Sequence, residues 1–287
     1  LVDQDTLMRD VVSLSGPEAA GRYAGSDGSK VAQRYLTDRF QQIGATTVPG
    51  FGWKWSYAAI LSLDERYDGT NLMAVVRGDG TAPGWIVLSA HYDHLGIVDG
   101  KLHPGADDNA SGVAAVLAIA ELARREPLRH DLLVLLFDGE ERELSGSRAW
   151  IDDPPIPRSE IVLNVNLDMV ARGDDGNLWV TRSPQLRSTG ALEGLAAQVP
   201  ICLRFGHDGT DERVDWTGQG DHYHFARHRI PFAYFGVEDH DDYHRPTDTP
   251  DRIDSRWFAA SVETIATALR ALDAELAVGA SAAPSNP

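Results

Sequence analysis

Four short runs of almost unbroken apolar residues constrain this chain most: NLMAVVRG at 71–78, GWIVLSA at 84–90, LLVLLF at 132–137 and IVLNVNL at 161–167. A strand with one wet face alternates apolar and polar residues. A strand that is apolar throughout must be covered on both faces. Between and around these runs lie segments with helical spacing. Residues 28–42 carry Val31, Tyr35, Leu36 and Phe40 and stop near Gly44. Residues 110–125 set Val113, Val116, Leu117 and Ala120 on one face, and 188–198 read as a helix ended by Pro200. Residues 255–276 read as a long last helix, with Phe258, Val262, Ile265, Leu269 and Leu272 in register and Asp254 or Ser255 as its cap. FAYFG at 232–236 is a further short strand. Strands and helices in this alternation predict an α/β fold, with a mainly parallel sheet between helical layers.

The 287 residues suit a single domain over 1–278, with the small, polar stretch GASAAPSNP at 279–287 as a disordered tail. A formal charge of −17 argues against nucleic acid and anionic membrane surfaces, whose phosphates need basic partners. No apolar run approaches the ~20 residues that span a bilayer. Cys202 is the only cysteine, so an intramolecular disulfide and a Cys-rich zinc site are both excluded. Between Ile201 and Leu203 it is expected to be a buried thiol.

In such sheets ligands gather at the carboxyl ends of strands, and polar clusters follow the apolar runs there. His91-Tyr92-Asp93-His94 leaves the second run. His91 suits a metal ligand, with Asp93 as the carboxylate that orients its ring; His94 and His103 have no such context and read as loop histidines. Asp107-Asp108-Asn109 opens the helix at 110 with more carboxylate than a cap requires, which makes Asp108 a candidate bridge between two cations and Asp107 a supporting residue. Asp138-Gly139-Glu140-Glu141-Arg142-Glu143 follows LLVLLF. Crowded acids repel one another unless a cation sits among them, and adjacent glutamates can divide into a ligand and a general base. Asp168 stands where the fourth run stops. After FAYFG comes Asp239-His240-Asp241-Asp242-Tyr243-His244, in which His244 reads as a ligand and Tyr243 as an O–H donor to an oxyanion. His240 and the remaining aspartates through Asp248 are expected on a surface loop.

In chain order, SAHYDHLG, PGADDNASGVAAVL, FDGEERELSGSRAW, NLDMV, GDHYHF and YHRPTDTPDRID resemble the cocatalytic zinc aminopeptidases of peptidase family M28, over residues 20 to 265. The resemblance implies a three-layer α/β/α sandwich with a mixed, mainly parallel central sheet, the zinc-exopeptidase (phosphorylase/hydrolase-like) fold. It implies two zinc ions, with cobalt or manganese as substitutes. His91 and Asp168 would hold the first, Glu141 and His244 the second, and Asp108 would bridge them. Glu140 would be the general base and Tyr243 would help hold the tetrahedral intermediate. Peptides with a free N-terminus would be the substrates. In the family a serine usually precedes Asp221-His222; here it is Gly220, which leaves the role of that loop open. The resemblance and the Leu at position 1 favour export, periplasmic or secreted, with the cytoplasm kept open.

Three alternatives stand beside this reading. A glutaminyl cyclase shares the FDGEE stretch but uses one zinc; cyclases carry Trp before the last His and Asp-Ser after the Gly-Ala turn, where this chain has Tyr243 and Asp108-Asn109. A carboxypeptidase of the same architecture needs a cationic clamp, for which Arg172, Arg204 and Arg245 are candidates. A non-catalytic module on the same fold would be expected to have lost ligands that this chain keeps. Side-chain preference and oligomeric state are not legible in the pattern.

Overall fold

Residues that lack polar alternation along a strand turn out to face two different cores. The computed structural model describes residues 1–62, 65–187 and 190–281. Among these, the strands are β1 (Lys54–Ile60), β2 (Arg66–Val76), β3 (Trp85–His91), β4 (Gly96–Val98), β5 (Lys101–His103), β6 (Asp131–Phe137), β7 (Ile161–Leu167), β8 (Asn177–Arg182), β9 (Cys202–Phe205) and β10 (Phe232–Gly236). β4 and β5 form a separate hairpin, and the other eight form one sheet in the order β1-β2-β6-β3-β7-β10-β8-β9. The central β6-β3-β7-β10 pairings are parallel, as is β8-β9. The pairs β1-β2, β2-β6 and β10-β8 are antiparallel, so the sheet is mixed.

The helices are α1 (Gln4–Ser15), α2 (Asp27–Ile43), α3 (Gly112–Arg125), α4 (Ser145–Asp152), α5 (Pro184–Arg187), α6 (His222–Arg227) and α7 (Ser255–Ser281). On one face α1, α2, α3 and α7 bring Leu7, Leu36, Val116 and Phe258 onto Leu88, Val134 and Val165. On the other, Trp150 of α4 and Phe225 of α6 meet Val87, Leu133 and Leu135. Neighbours such as Val87 and Leu88 thus enter opposite cores, each burial contributing about 1.5–3 kcal/mol. The result is the three-layer α/β/α sandwich. No helix among the described residues is long and apolar enough to cross a membrane.

The stop at Gly44 has a direct cause: Gly44 adopts the left-handed conformation (φ 77) and its N–H bonds back to the last turn of α2. Elsewhere the structure departs from the pattern. No α-helix forms over the described part of 188–198, residues 190–198. Residues 188–189 lie outside the described residues, and the rest is turn with one short 3-10 segment, Glu193–Leu195. Gly190, at φ 75, and Gly194 both weaken a helix there. Cys202 is exposed, because β9 is the sheet's edge strand and its alternate residues face solvent. α7 continues to Ser281, so the start of the expected tail is helical; residues 282–287 lie outside the described residues.

Candidate metal centre

Because β3, β6, β7 and β10 are parallel, their carboxyl ends share one edge of the sheet, and the polar clusters arrive there together. His91 is the last residue of β3, Glu140 and Glu141 sit in the turn after β6, and Asp168 directly follows β7. His244 comes from the loop after β10, and Asp108 from the π-type turn Ala106–Ser111 that leads into α3.

His91 Nε2 lies 3.2 Å from Asp168 Oδ1 and 3.5 Å from Asp108 Oδ1. On the other side of Asp108, His244 Nε2 lies 3.1 Å from Asp108 Oδ2 and 3.3 Å from Glu141 Oε2. Nitrogen and oxygen donors around one tetrahedral ion, each ~2.0–2.1 Å from it, sit roughly 3.3–3.4 Å apart. These separations therefore fit two ion positions that share Asp108, and the His/carboxylate chemistry suits a first-row divalent ion. Asp108 Oδ2 is buried without a well-aligned hydrogen bond, as a carboxylate built to face a cation would be. Two donor sets that could hold an ion are His91, Asp108 and Asp168, and His94, Asp108 and Glu141.

Several residues sit differently from their sequence-based expectations. His94 is fully buried, with Nδ1 2.7 Å from Glu141 Oε1, since the loop after β3 turns inward under the Glu140-Glu141 turn. The His240 side chain is buried, 3.2 Å from Asp107 Oδ2. Asp248 is buried too, accepting the N–H of Asp107 at 3.0 Å and of Asp108 at 3.1 Å, and so ties the His244 loop to the Asp108 turn. Asp242 is engaged by Arg172 at 2.6 Å. Asp93 stands behind His91, but the nearer contact of His91 Nδ1 is the Asp93 carbonyl, at 3.3 Å, against 3.7 Å to the carboxylate. The reason is that the Asp93 carboxylate is taken by the N–H groups of Glu140 (3.1 Å) and Glu141 (3.3 Å). Asp93 therefore shapes the two-glutamate turn as well.

Two further supports have no sequence signal of their own. Arg22, on the turn after α1, donates to the carbonyls of Tyr92, Pro104 and Gly105, fastening the His91 loop to the Asp108 turn. Asn109 donates to Leu167 O (2.9 Å) and accepts from Met169 N (3.2 Å), which locks the Asp108 turn to the Asp168 loop. In the loop with the unusual Gly220, Asp221 is completely buried, and burial pushes its carboxyl up to about 7.

Electrostatics separate the adjacent glutamates. Burial drives the Glu140 carboxyl well above its ordinary range, and the Asp168, Asp221 and Glu141 charges add to this against the pull of His91. Burial would raise Glu141 as well, but hydrogen bonds from His244 and His94 outweigh it and hold Glu141 below its ordinary value. One glutamate is thus poised to carry a proton and the other to remain an anion. Burial also keeps the Tyr243 hydroxyl protonated, and the ring stacks on His244 at 3.9 Å. His91, Glu140, Trp216, Tyr234 and Tyr243 help line a cavity of about 60 Å³. It shares Asp239 with a wider groove of about 720 Å³.

Fold and site together define an α/β protein with a paired His/carboxylate centre at the carboxyl edge of its sheet. The chain belongs to peptidase family M28, whose family model matches residues 71–269. It is 29% identical over 206 residues to the BOS complex subunit NCLN of Canis lupus familiaris, covering 64% of this chain and 36% of that protein. It is 27% identical over 201 residues to the aminopeptidase YwaD of Bacillus subtilis (strain 168), covering 65% of this chain and 41% of that protein. The chain therefore spans well under half the length of these curated relatives. The solved structure of a Fimbriiglobus ruber glutaminyl cyclase shares the fold, with a TM-score of 0.74 and 22% identity, over 94% of this chain and 95% of that one.

Proposed function

We propose that this chain is an aminopeptidase that removes N-terminal residues from peptides with the help of two divalent ions, zinc in the first place. The observation that carries this reading is that Asp108 lies between His91 with Asp168 on one side and His244 with Glu141 on the other, with Glu140 on the wall of the same cavity and outside both groups. His91, Asp168 and Asp108 would hold one ion; Asp108, Glu141 and His244 would hold the other. Such ions supply a Lewis acid and bring the pKa of water towards neutrality. Glu140, whose proton affinity burial has raised, takes a proton from the attacking water and returns it to the leaving amine. Tyr243 donates its O–H to the developing oxyanion. Asp239, on the wall of the same narrow cavity and outside both groups of ligands, offers a carboxylate to a substrate α-ammonium.

The narrow cavity offers a carboxypeptidase no clamp of its own, since no Arg or Lys among the described residues lines it. Of the two arginines in the adjoining groove, the Arg172 guanidinium is held by Asp174 and Asp242, which leaves Arg252 as the cation a carboxypeptidase would have to use. Tyr243 and Asn109 stand where a cyclase would be expected to differ.

The test combines metal analysis with the turnover of aminoacyl p-nitroanilides by the wild type and by Glu140→Gln. Both proteins are expected to carry two ions per chain, with turnover lower by about 10²–10⁴-fold in the variant. Near-native turnover in Glu140→Gln removes the proposed base. Cyclisation of a Gln-initiated peptide without peptide-bond cleavage makes the protein a cyclase. Purification without stoichiometric metal and without activity makes it a non-catalytic relative.

A further inference from the structure

His94 is a fully buried histidine within reach of Asp108 and Glu141, at a position where the assignment above gives the ion to His244 instead. We propose that His94 is a positioning residue for the second ion: its Nδ1–H donates to Glu141 Oε1 and so presents Oε2, the oxygen facing His244, as the donor to metal. The inference rests on the two-ion reading and deepens it.

Distance separates a hydrogen-bond partner from a ligand. His94 Nδ1 and Glu141 Oε1 are 2.7 Å apart, the length of a charge-assisted hydrogen bond. That is too short for two donors of one tetrahedral ion, which sit roughly 3.3–3.4 Å apart. The His244 contacts of 3.1 and 3.3 Å come much closer to that spacing. The tautomer agrees. His94 Nε2 is buried and has no hydrogen-bond partner. With the proton on Nδ1, the orphan is a lone pair. Were Nδ1 bound to an ion, the neutral ring would carry its proton on Nε2 and strand a buried N–H, the rarer and costlier orphan. The ring is also confined. A Cβ on Gly105 would come within 2.5 Å of His94 Cδ2, so the ring lies against the backbone of the Asp108 turn. Its other side faces His244, with centroids 5.8 Å apart.

The experiment uses the full chain stripped of metal by a chelator and titrated with Co²⁺, read by equilibrium dialysis and by visible absorption. Wild type, His94→Ala and His94→Asn are compared, since an asparagine Nδ2–H can take the place of Nδ1–H but a side-chain amide is a poor substitute for an imidazole ligand. The wild type is expected to take two ions. His94→Ala should bind one of them about 10–100-fold more weakly and leave the other unchanged. His94→Asn should return within a few-fold of wild type, with the wild-type cobalt bands. His94→Ala binding both ions like wild type overturns the proposal, as does His94→Asn remaining weak with altered bands, which is the signature of a lost ligand. If His94→Ala does not fold, the affinity and bands of His94→Asn decide alone. A wild type that takes fewer than two ions fails at the earlier step and overturns the two-ion reading together with this one.

Discussion

Replacing Arg22 with methionine should cost about 3–5 kcal/mol of stability. The guanidinium is completely buried. Nε donates to Tyr92 O at 2.8 Å, Nη1 to Leu14 O at 2.7 Å and Pro104 O at 2.6 Å, and Nη2 to Gly105 O at 2.9 Å. Burial pushes its pKa down to about 10, so it is still a cation at neutral pH, within the field of Asp108, Asp248, Asp93 and Glu141. Hydrogen bonds from a charged donor contribute about 1.5–3 kcal/mol each, or about 6–12 kcal/mol for four. Desolvating the cation offsets several kcal/mol of this. Methionine keeps the packing of the stem and removes every donor. The assay is urea unfolding of metal-stripped protein, so that altered ion binding does not enter the comparison. The midpoint should fall with an unchanged m-value. In a thermal scan the loss corresponds to roughly 5–8 °C for a chain of this length. A loss below about 1 kcal/mol would refute the reasoning, because it would mean that water satisfies the four carbonyls as well as the guanidinium does.

Two more outcomes follow from buried carboxylates. Asp248→Ala strands the N–H groups of Asp107 and Asp108 and should cost about 2–4 kcal/mol. It should also weaken zinc binding about 10–100-fold in a calorimetric titration; wild-type affinity would show that Asp108 is held without it. Asp273, far along the sheet from the centre, accepts from Arg129 N (2.9 Å), His130 N (3.1 Å) and His130 Nδ1 (2.8 Å). Burial would raise its pKa, but these bonds outweigh it and hold the carboxyl below 3.8. A depressed folded-state pKa gives stability that is complete above the unfolded value and is lost as pH falls through the folded one. Asp273→Asn should therefore be less stable than wild type by about 1–3 kcal/mol at neutral pH. The gap should shrink in urea midpoints as pH falls below the ordinary aspartate range and close below the depressed folded-state pKa, and a gap that widens on acidification would contradict the assignment.

Much of the fold could be read along the chain, and the reason is geometric. A strand buried on both faces tolerates polar residues only where they bond one another, as Ser89 does with Asn164 and Asn166, so β3, β6 and β7 appear as nearly unbroken apolar runs that end where the polar clusters begin. Parallel pairing then puts those ends on one edge, which brings His91, Glu140, Glu141 and Asp168 together; the part each would play comes from the family resemblance, because Asp168 carries no signal by itself and two adjacent glutamates do not say which one would bind an ion. What escaped the pattern depends on chain segments far apart in sequence. His94 and His103 look alike as loop histidines, yet only His94 is folded under Glu141, because the loop after β3 is fastened through Arg22 to the Asp108 turn. Asp248 reads as a surface acid and becomes the anchor of Asp107 and Asp108 once the His244 loop crosses the sheet edge. Cys202 reads as buried beside Ile201 and Leu203, and its place on an edge strand exposes it. Periodicity records which face of an element is covered. Which partner covers it, and which polar atom that partner satisfies, is settled only when distant segments pack.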